Sequence, residues 1–259
     1  MTTVLDSGLL GDVLLRDALR DILAPFDLPP VEDVAARREL AESLLSGQDN
    51  GSVDGLALSY AVIAYCASTE DTAALVVEAL RGNHDALVLD GARGGYALLP
   101  CAQDDHTALA GALHDQVGAD VWLAVTWAPR HDIATARATA EDVLRIASGR
   151  APGVYELRNV LADFAVLRQA HVAARLARMI EPLVAQPALL DALRAFIAED
   201  GNRTAAARTL DVHRSTLDHR LRLIERLTGC RPTSPRALLT LSVALTAHSA
   251  PEVPLPRTH

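Results

Sequence analysis

Between Gly201 and Arg236 the chain places eight arginines against three acids, and His213 and His219 lie in the same stretch. Each arginine brings a permanent positive charge and five N–H donors in a planar fork, which matches phosphate oxygens or the O6/N7 edge of guanine. Leu217, Leu221 and Ile224 recur at i, i+4 and i+7, so they share one face of a helix. The opposite face then carries Ser215, His219, Arg222 and Arg226, with Arg214 and Asp218 at its flank. This is the chemistry of hydrogen-bonded, charge-assisted recognition, not of bond making.

The surrounding sequence builds what would hold that face. Leu189, Leu193, Phe196 and Ile197 give a first helix its core side, Asp200-Gly201 ends it, and Asn202 is placed to cap the next. Thr204 to Leu210 is short and carries Ala205, Ala206 and Ala207, small enough for two helices to cross closely. Asp211-Val212 supplies a turn, and a helix from about Arg214 to Leu227 follows. Two short helices around a tight turn describe a helix-turn-helix, which lays its second helix in the DNA major groove. A final helix from Pro235 to Ala247, capped by Thr233 or Ser234, would brace the second helix with Leu238, Leu241 and Leu245.

On this reading His213, Arg214, Ser215, Thr216 and His219, near the helix start, are the candidates for base edges. Arg203, Arg220 and Arg222 are the candidates for phosphate, which positions without specifying. Plainer readings stand beside these: Arg226 with Glu225 as a solvated surface, His219 as an ordinary polar residue. Asp218 fits least well. Its carboxylate repels phosphate, yet it can accept from cytosine N4, orient Arg214 or Arg222, or weaken binding outright.

The charge follows the same division. The whole chain of 259 residues has a formal net charge of -9, which argues against a general nucleic-acid binder. Residues 1 to 190 hold 14 arginines and 26 acids, whereas residues 191 to 259 hold 10 arginines and 7 acids. Only the C-terminal part would be drawn to phosphate. There is no lysine, and in an alanine-rich chain this is better explained by a bias acting on the whole sequence than by a choice of arginine for DNA contacts. Cys66, Cys101 and Cys230 are odd in number and lack metal spacing, as reduced thiols in a cytoplasmic protein would be. No apolar run of membrane-spanning length and no signal peptide is evident.

The preceding sequence alternates in type. Helical patterns at Leu9 to Leu23 and Val31 to Leu45 flank Pro29-Pro30, and the second is either a solvated face or half of a paired helix. Ala57 to Ala67 reads as a buried strand, and Thr72 to Leu80 as a helix that Asp71 could cap. Strands at Ala86 to Asp90 and Tyr96 to Leu99 flank a glycine-bearing turn, the mark of a hairpin. Thr107 to Val117 is a helix, Val121 to Trp127 a strand, Thr135 to Ala147 a helix, Val154 to Leu157 an edge strand and Val160 to Leu167 a helix. That order predicts an α+β chain, a ferredoxin-like split βαβ middle domain followed by an all-α domain; helices over a small parallel sheet are the alternative. The expected divisions are an N-terminal helical segment (1–50), the α/β domain (51–168), a helical linker (169–187), the helix-turn-helix domain (188–249) and a loose tail (250–259).

The motif Gly201-Asn202, Thr204-Ala205, Leu210, Val212-His213-Arg214-Ser215-Thr216-Leu217, Arg220-Leu221, Ile224-Glu225, Thr228-Gly229 resembles the Fis-like helix-turn-helix of PucR/CdaR-type bacterial transcriptional regulators. Ser215 stands where the family more often has Asn, and Asp218 where it more often has a basic residue. The resemblance implies a recognition helix over 213 to 227, double-stranded DNA as partner and binding as a homodimer; an unidentified small-molecule effector would be sensed in the middle domain or nowhere. The middle region is similar to the degenerate cyclase-like domain that often precedes this reader. Where a diguanylate cyclase has its Gly-Gly-Asp/Glu-Glu-Phe hairpin, this chain has Gly91-Ala92-Arg93-Gly94-Gly95-Tyr96, without paired acids for Mg²⁺. No catalytic residue, metal or cofactor is expected.

Two other functions remain open on sequence. Asp104-Asp105-His106 could seed the metal site of an enzyme, although polar residues at a helix start explain it as well. A protein-interaction module could keep the helix-turn-helix shape and lose DNA, as the acidic body and Asp218 would allow.

Overall fold

The computed structural model describes residues 34–48, 56–81, 83, 85–118, 120–249 and 253–256. The helix expected at Leu9 to Leu23 lies outside them. The chain divides into two compact units, residues 1–160 with 251–259, and residues 161–250.

In the first unit, α1 (Val34–Ser46) precedes β1 (Ser59–Ala67), α2 (Glu70–Leu80), β2 (Leu87–Asp90), β3 (Gly94–Pro100), α3 (His106–Val117), β4 (Val121–Pro129), α4 (Ile133–Ala147) and β5 (Gly153–Tyr155). The sheet order is β2-β3-β1-β4-β5. β1 pairs antiparallel with both β3 and β4, and β2 with β3. These four strands with α2 and α3 form the split βαβ arrangement expected from sequence. β5 adds a parallel edge to β4 after the α4 crossover, so the parallel-sheet alternative fails at every pairing except this one.

β1 reads SYAVIAYCA because both its faces are covered, which removes the alternation of a half-solvated strand. Ala61, Ile63 and Tyr65 pack with Leu99, Leu123 and Val125 beneath Val76 and Leu80 of α2 and Leu109 and Leu113 of α3. α4 packs against β1 and β4 with Ile133, Ala136, Ala140, Val143 and Leu144 buried, and α1 packs against β2. Thr69, not Asp71, caps α2, accepting from the Thr72 amide at 3.1 Å. Asp71 lies inside the first turn instead, where its charge faces the positive end of the helix dipole.

The glycines between β2 and β3 serve close approach. A Cβ on Gly95 would lie 2.5 Å from the Leu89 carbonyl oxygen and 2.7 Å from the Tyr65 hydroxyl, and one on Gly94 2.6 Å from the Tyr65 carbonyl oxygen. The Tyr65 ring therefore covers the strand where a side chain is missing, as an aromatic does over a sheet glycine. The segment expected as a loose tail is described at residues 253–256, where Pro254 and Pro256 lie against Gly94 and Gly91.

The second unit is all-α: α5 (Leu161–Leu167), α6 (Ala170–Val184), α7 (Pro187–Ala198), α8 (Arg203–Thr209), α9 (Arg214–Thr228) and α10 (Pro235–Ser249). Its core joins Ile180 and Leu183 of α6, Leu189, Leu193 and Phe196 of α7, Ala206 and Ala207 of α8, Leu217, Leu221 and Ile224 of α9, and Leu241 and Ala244 of α10. The segment expected as a linker thus supplies two fully buried side chains to this core. One expectation needs correction. α10 packs chiefly on α6, and α9 is held by α7, α8 and α6. A periodic apolar face predicts burial but does not name its partner.

Candidate nucleic-acid interface

The two turns of the motif are set by their capping bonds. At the end of α7, the Gly201 amide donates to the Phe196 carbonyl and the Asp200 amide to that of Ile197, with Asp200 at φ 50 and Gly201 at φ 79. At the end of α8, the Val212 amide donates to Ala207 and the Asp211 amide to Arg208, with Asp211 at φ 51. Each pair is a Schellman closure, whose left-handed residue turns the chain sharply out of the helix. Asn202 caps α8 as expected: its Oδ1 accepts from the Thr204 and Ala205 amides at 3.1 and 3.2 Å.

α9 starts on His213. Its Nδ1 accepts from the Ser215 amide at 3.2 Å and lies 2.7 Å from the Ser215 hydroxyl. That acceptor role requires an unprotonated Nδ1, and the sequence reading of His213 as a base contact did not anticipate it. His213 is an exposed residue. Arg214, Ser215, Thr216 and His219 are exposed, as are Arg222 and Arg226. With about 100° between successive residues, Ser215, His219, Arg222 and Arg226 fall within one narrow stripe opposite the buried leucines. Arg214, the first residue of α9, is exposed on the flank it shares with Asp218 and not on the stripe, and among the described residues it has no ion pair.

Of the three candidate phosphate residues, Arg203 and Arg222 both neighbour Asp218, and Arg220 lies apart from them. Arg222 lies on the stripe, and its Nε donates to the Asp218 carbonyl at 3.3 Å. Arg220 is half-buried on the flank shared with Thr216. Arg203, the first residue of α8, faces α9 on the other flank, with Nη1 3.7 Å from Oδ1 of Asp218. The Asp218 carboxylate therefore meets Arg203, not the Arg214 or Arg222 side chains. Arg208, exposed in the last turn of α8, was not among the expected residues. The signal for it was available, because the first helix of such a motif crosses the DNA backbone.

His106 reaches the Gln103 carbonyl with one ring nitrogen and approaches Glu156 at 3.7 Å with the other, joining the start of α3 to the segment after β5. Among the described residues no group of three or more His, Cys, Asp or Glu could hold a metal ion. Cys66 and Cys101 are buried free thiols, pushed up by burial to about 11 and about 12. No helix among the described residues is long and apolar enough to cross a membrane.

This arrangement, a short helix and a turn presenting an arginine-bearing second helix, defines the helix-turn-helix class. Residues 189–247 match the family model for the PucR C-terminal helix-turn-helix domain. The match is confined to the C-terminal helix-turn-helix domain, which is similar to the reader domain of PucR-type regulators. A solved structure titled as a regulator of polyketide synthase expression from Bifidobacterium adolescentis aligns with 17% identity and a TM-score of 0.37, covering 89% of this chain and 97% of that one. No curated protein sequence matches the chain.

Proposed function

We propose that the chain is a sequence-reading DNA-binding transcriptional regulator that inserts the N-terminal half of α9 into the major groove. The observation carrying this reading is the phase of α9. Leu217, Leu221 and Ile224 are committed to the core, and the stripe left to solvent holds Ser215, His219, Arg222 and Arg226, with Arg214 exposed on its flank. Arg214, Ser215, Thr216 and His219 contact base edges, while His213 sets the helix start and offers Nε2. Arg203, Arg208, Arg220 and Arg222 contact the backbone on either side. The chain acts as a dimer, because one reader of this size gives too small an interface for operator-level preference. Two readers then take half-sites one helical turn apart, about 34 Å.

The test is selection of bound duplexes from a randomised library, followed by salt-dependent anisotropy on the selected duplex. The selected sequence should show two half-sites, and log affinity should fall with log salt with a slope of about −4 per reader, for about four neutralised phosphates. Arg214→Ala should weaken the selected duplex by about 10- to 100-fold, the discrimination of one good base contact. Failure to enrich any sequence, with no salt-dependent binding, would overturn the reading.

A further inference from the structure

Asp218 is the one acidic side chain in the first two turns of α9, on a helix otherwise furnished for anions. A carboxylate there opposes phosphate, so its partner decides its role. That partner is Arg203: Nη1 and Oδ1 are 3.7 Å apart, and the side chains are 39% and 37% exposed. The pair spans the two helices of the motif, and each end is anchored. The Asn202 side chain fixes the start of α8 immediately beside Arg203, and the Asp218 backbone lies mid-helix between the buried Leu217 and Leu221. The geometry places a cation suited to phosphate under the hold of an anion on the neighbouring helix. A half-exposed pair of this kind is weak and screened by salt, so a phosphate oxygen can take the guanidinium over.

We propose that Asp218 is a positioning residue acting through Arg203: the pair holds Arg203 back from the DNA backbone and keeps sequence-independent affinity low. The inference rests on the reading of α9 as the DNA-contacting helix. It makes Asp218 a device for preference. Loosely placed DNA gains no contact from Arg203, whereas a duplex seated in register offers a phosphate that replaces the carboxylate. Non-specific affinity is set by the number of phosphates neutralised, so withholding one cation lowers it on every sequence.

The experiment uses the full chain as wild type, Asp218→Asn, Arg203→Gln and the double variant, with Asp218→Glu as the conservative control. Each is titrated by anisotropy against a mixed-sequence duplex at several salt concentrations, after circular dichroism has shown that helix content is kept. Asp218→Asn should tighten mixed-sequence binding about five- to tenfold and steepen the salt slope by about one, the change expected for one added phosphate contact. In the Arg203→Gln background the same substitution should change affinity less than about twofold, and Asp218→Glu should behave as wild type. Equal gains in both backgrounds would mean direct repulsion of phosphate by Asp218 and would overturn the proposal, as would no gain at all. Absence of binding by all five proteins would overturn the DNA reading and this proposal with it.

Discussion

Leu217 and His219 are two residues apart on α9, yet they should respond oppositely to truncation. Leu217 is fully buried among Leu193, Phe196, Leu221 and Ile224, whereas His219 is exposed. Leu217→Ala removes the transfer energy of the side chain and leaves a cavity between α7 and α9, a loss of about 2–5 kcal/mol. A unit of this size has a total stability of about 5–13 kcal/mol, so the loss is a large fraction of it. With a urea slope of about 1.5 kcal/mol/M, the midpoint should fall by about 2 M. The assay can assign the loss to one unit. Trp122, Trp127 and all four tyrosines precede residue 161, so tryptophan fluorescence reports only the first unit. Far-ultraviolet circular dichroism reports helix in both. Leu217→Ala should advance the dichroism transition while the fluorescence transition keeps its midpoint. His219→Ala should stay within about 0.5 kcal/mol of wild type and lose DNA affinity instead. A Leu217→Ala loss below about 1 kcal/mol, or a larger loss at His219, would refute the phase of the helix and with it the surface assigned to DNA.

Asn202→Ala removes the acceptor for two amides at the start of α8 and should cost about 1 kcal/mol, read as an earlier dichroism transition; an unchanged midpoint would contradict the cap. Gly95→Ala forces a Cβ against the Leu89 carbonyl and the Tyr65 ring, and overpacking of this kind costs about 1–3 kcal/mol, visible in the fluorescence transition. The pH dependence has a definite sign. Burial raises Cys66 to about 11, Cys101 to about 12 and Tyr60 to about 12, so above about pH 9 the unfolded chain releases protons that the folded chain keeps. The stability of the first unit should therefore be intact below that pH and decline through pH 9–12, measured by urea melts under fluorescence. An alkylating reagent at pH 8 should label Cys230 first and reach Cys66 and Cys101 only on unfolding, because both are buried as neutral thiols.

The helix-turn-helix was legible because its signals are local. Leucines at i, i+4 and i+7 fix the phase of α9, and Asn202 after Asp200-Gly201 marks one helix ending and another beginning. The strand order of the first unit was legible for a similar reason, since a glycine-bearing turn between short apolar runs leaves little but a hairpin. Choices between neighbours were harder. Thr69 and Asp71 are both good capping residues, and only the backbone path at Thr69, extended at φ -132, selects it. A histidine cap has no strong sequence signature, so His213 read as a contact when its Nδ1 serves the helix start. Tertiary partners were not legible at all. Asp218 and Arg203 are 15 positions apart and meet only because two helices cross, and the leucines of α10 do not say that α6 covers them.

If the outward stripe of α9 lies against DNA, a photoreactive group placed on it should react with a base. p-Azidophenylalanine is placed at His219 on the stripe or at Leu239, an exposed position of α10, and each protein is irradiated with the selected duplex. Position 219 should give a crosslink that maps to a base within a half-site, and position 239 should give none. Equal yields from the two positions, or crosslinking from 239 alone, would contradict that placement of the stripe.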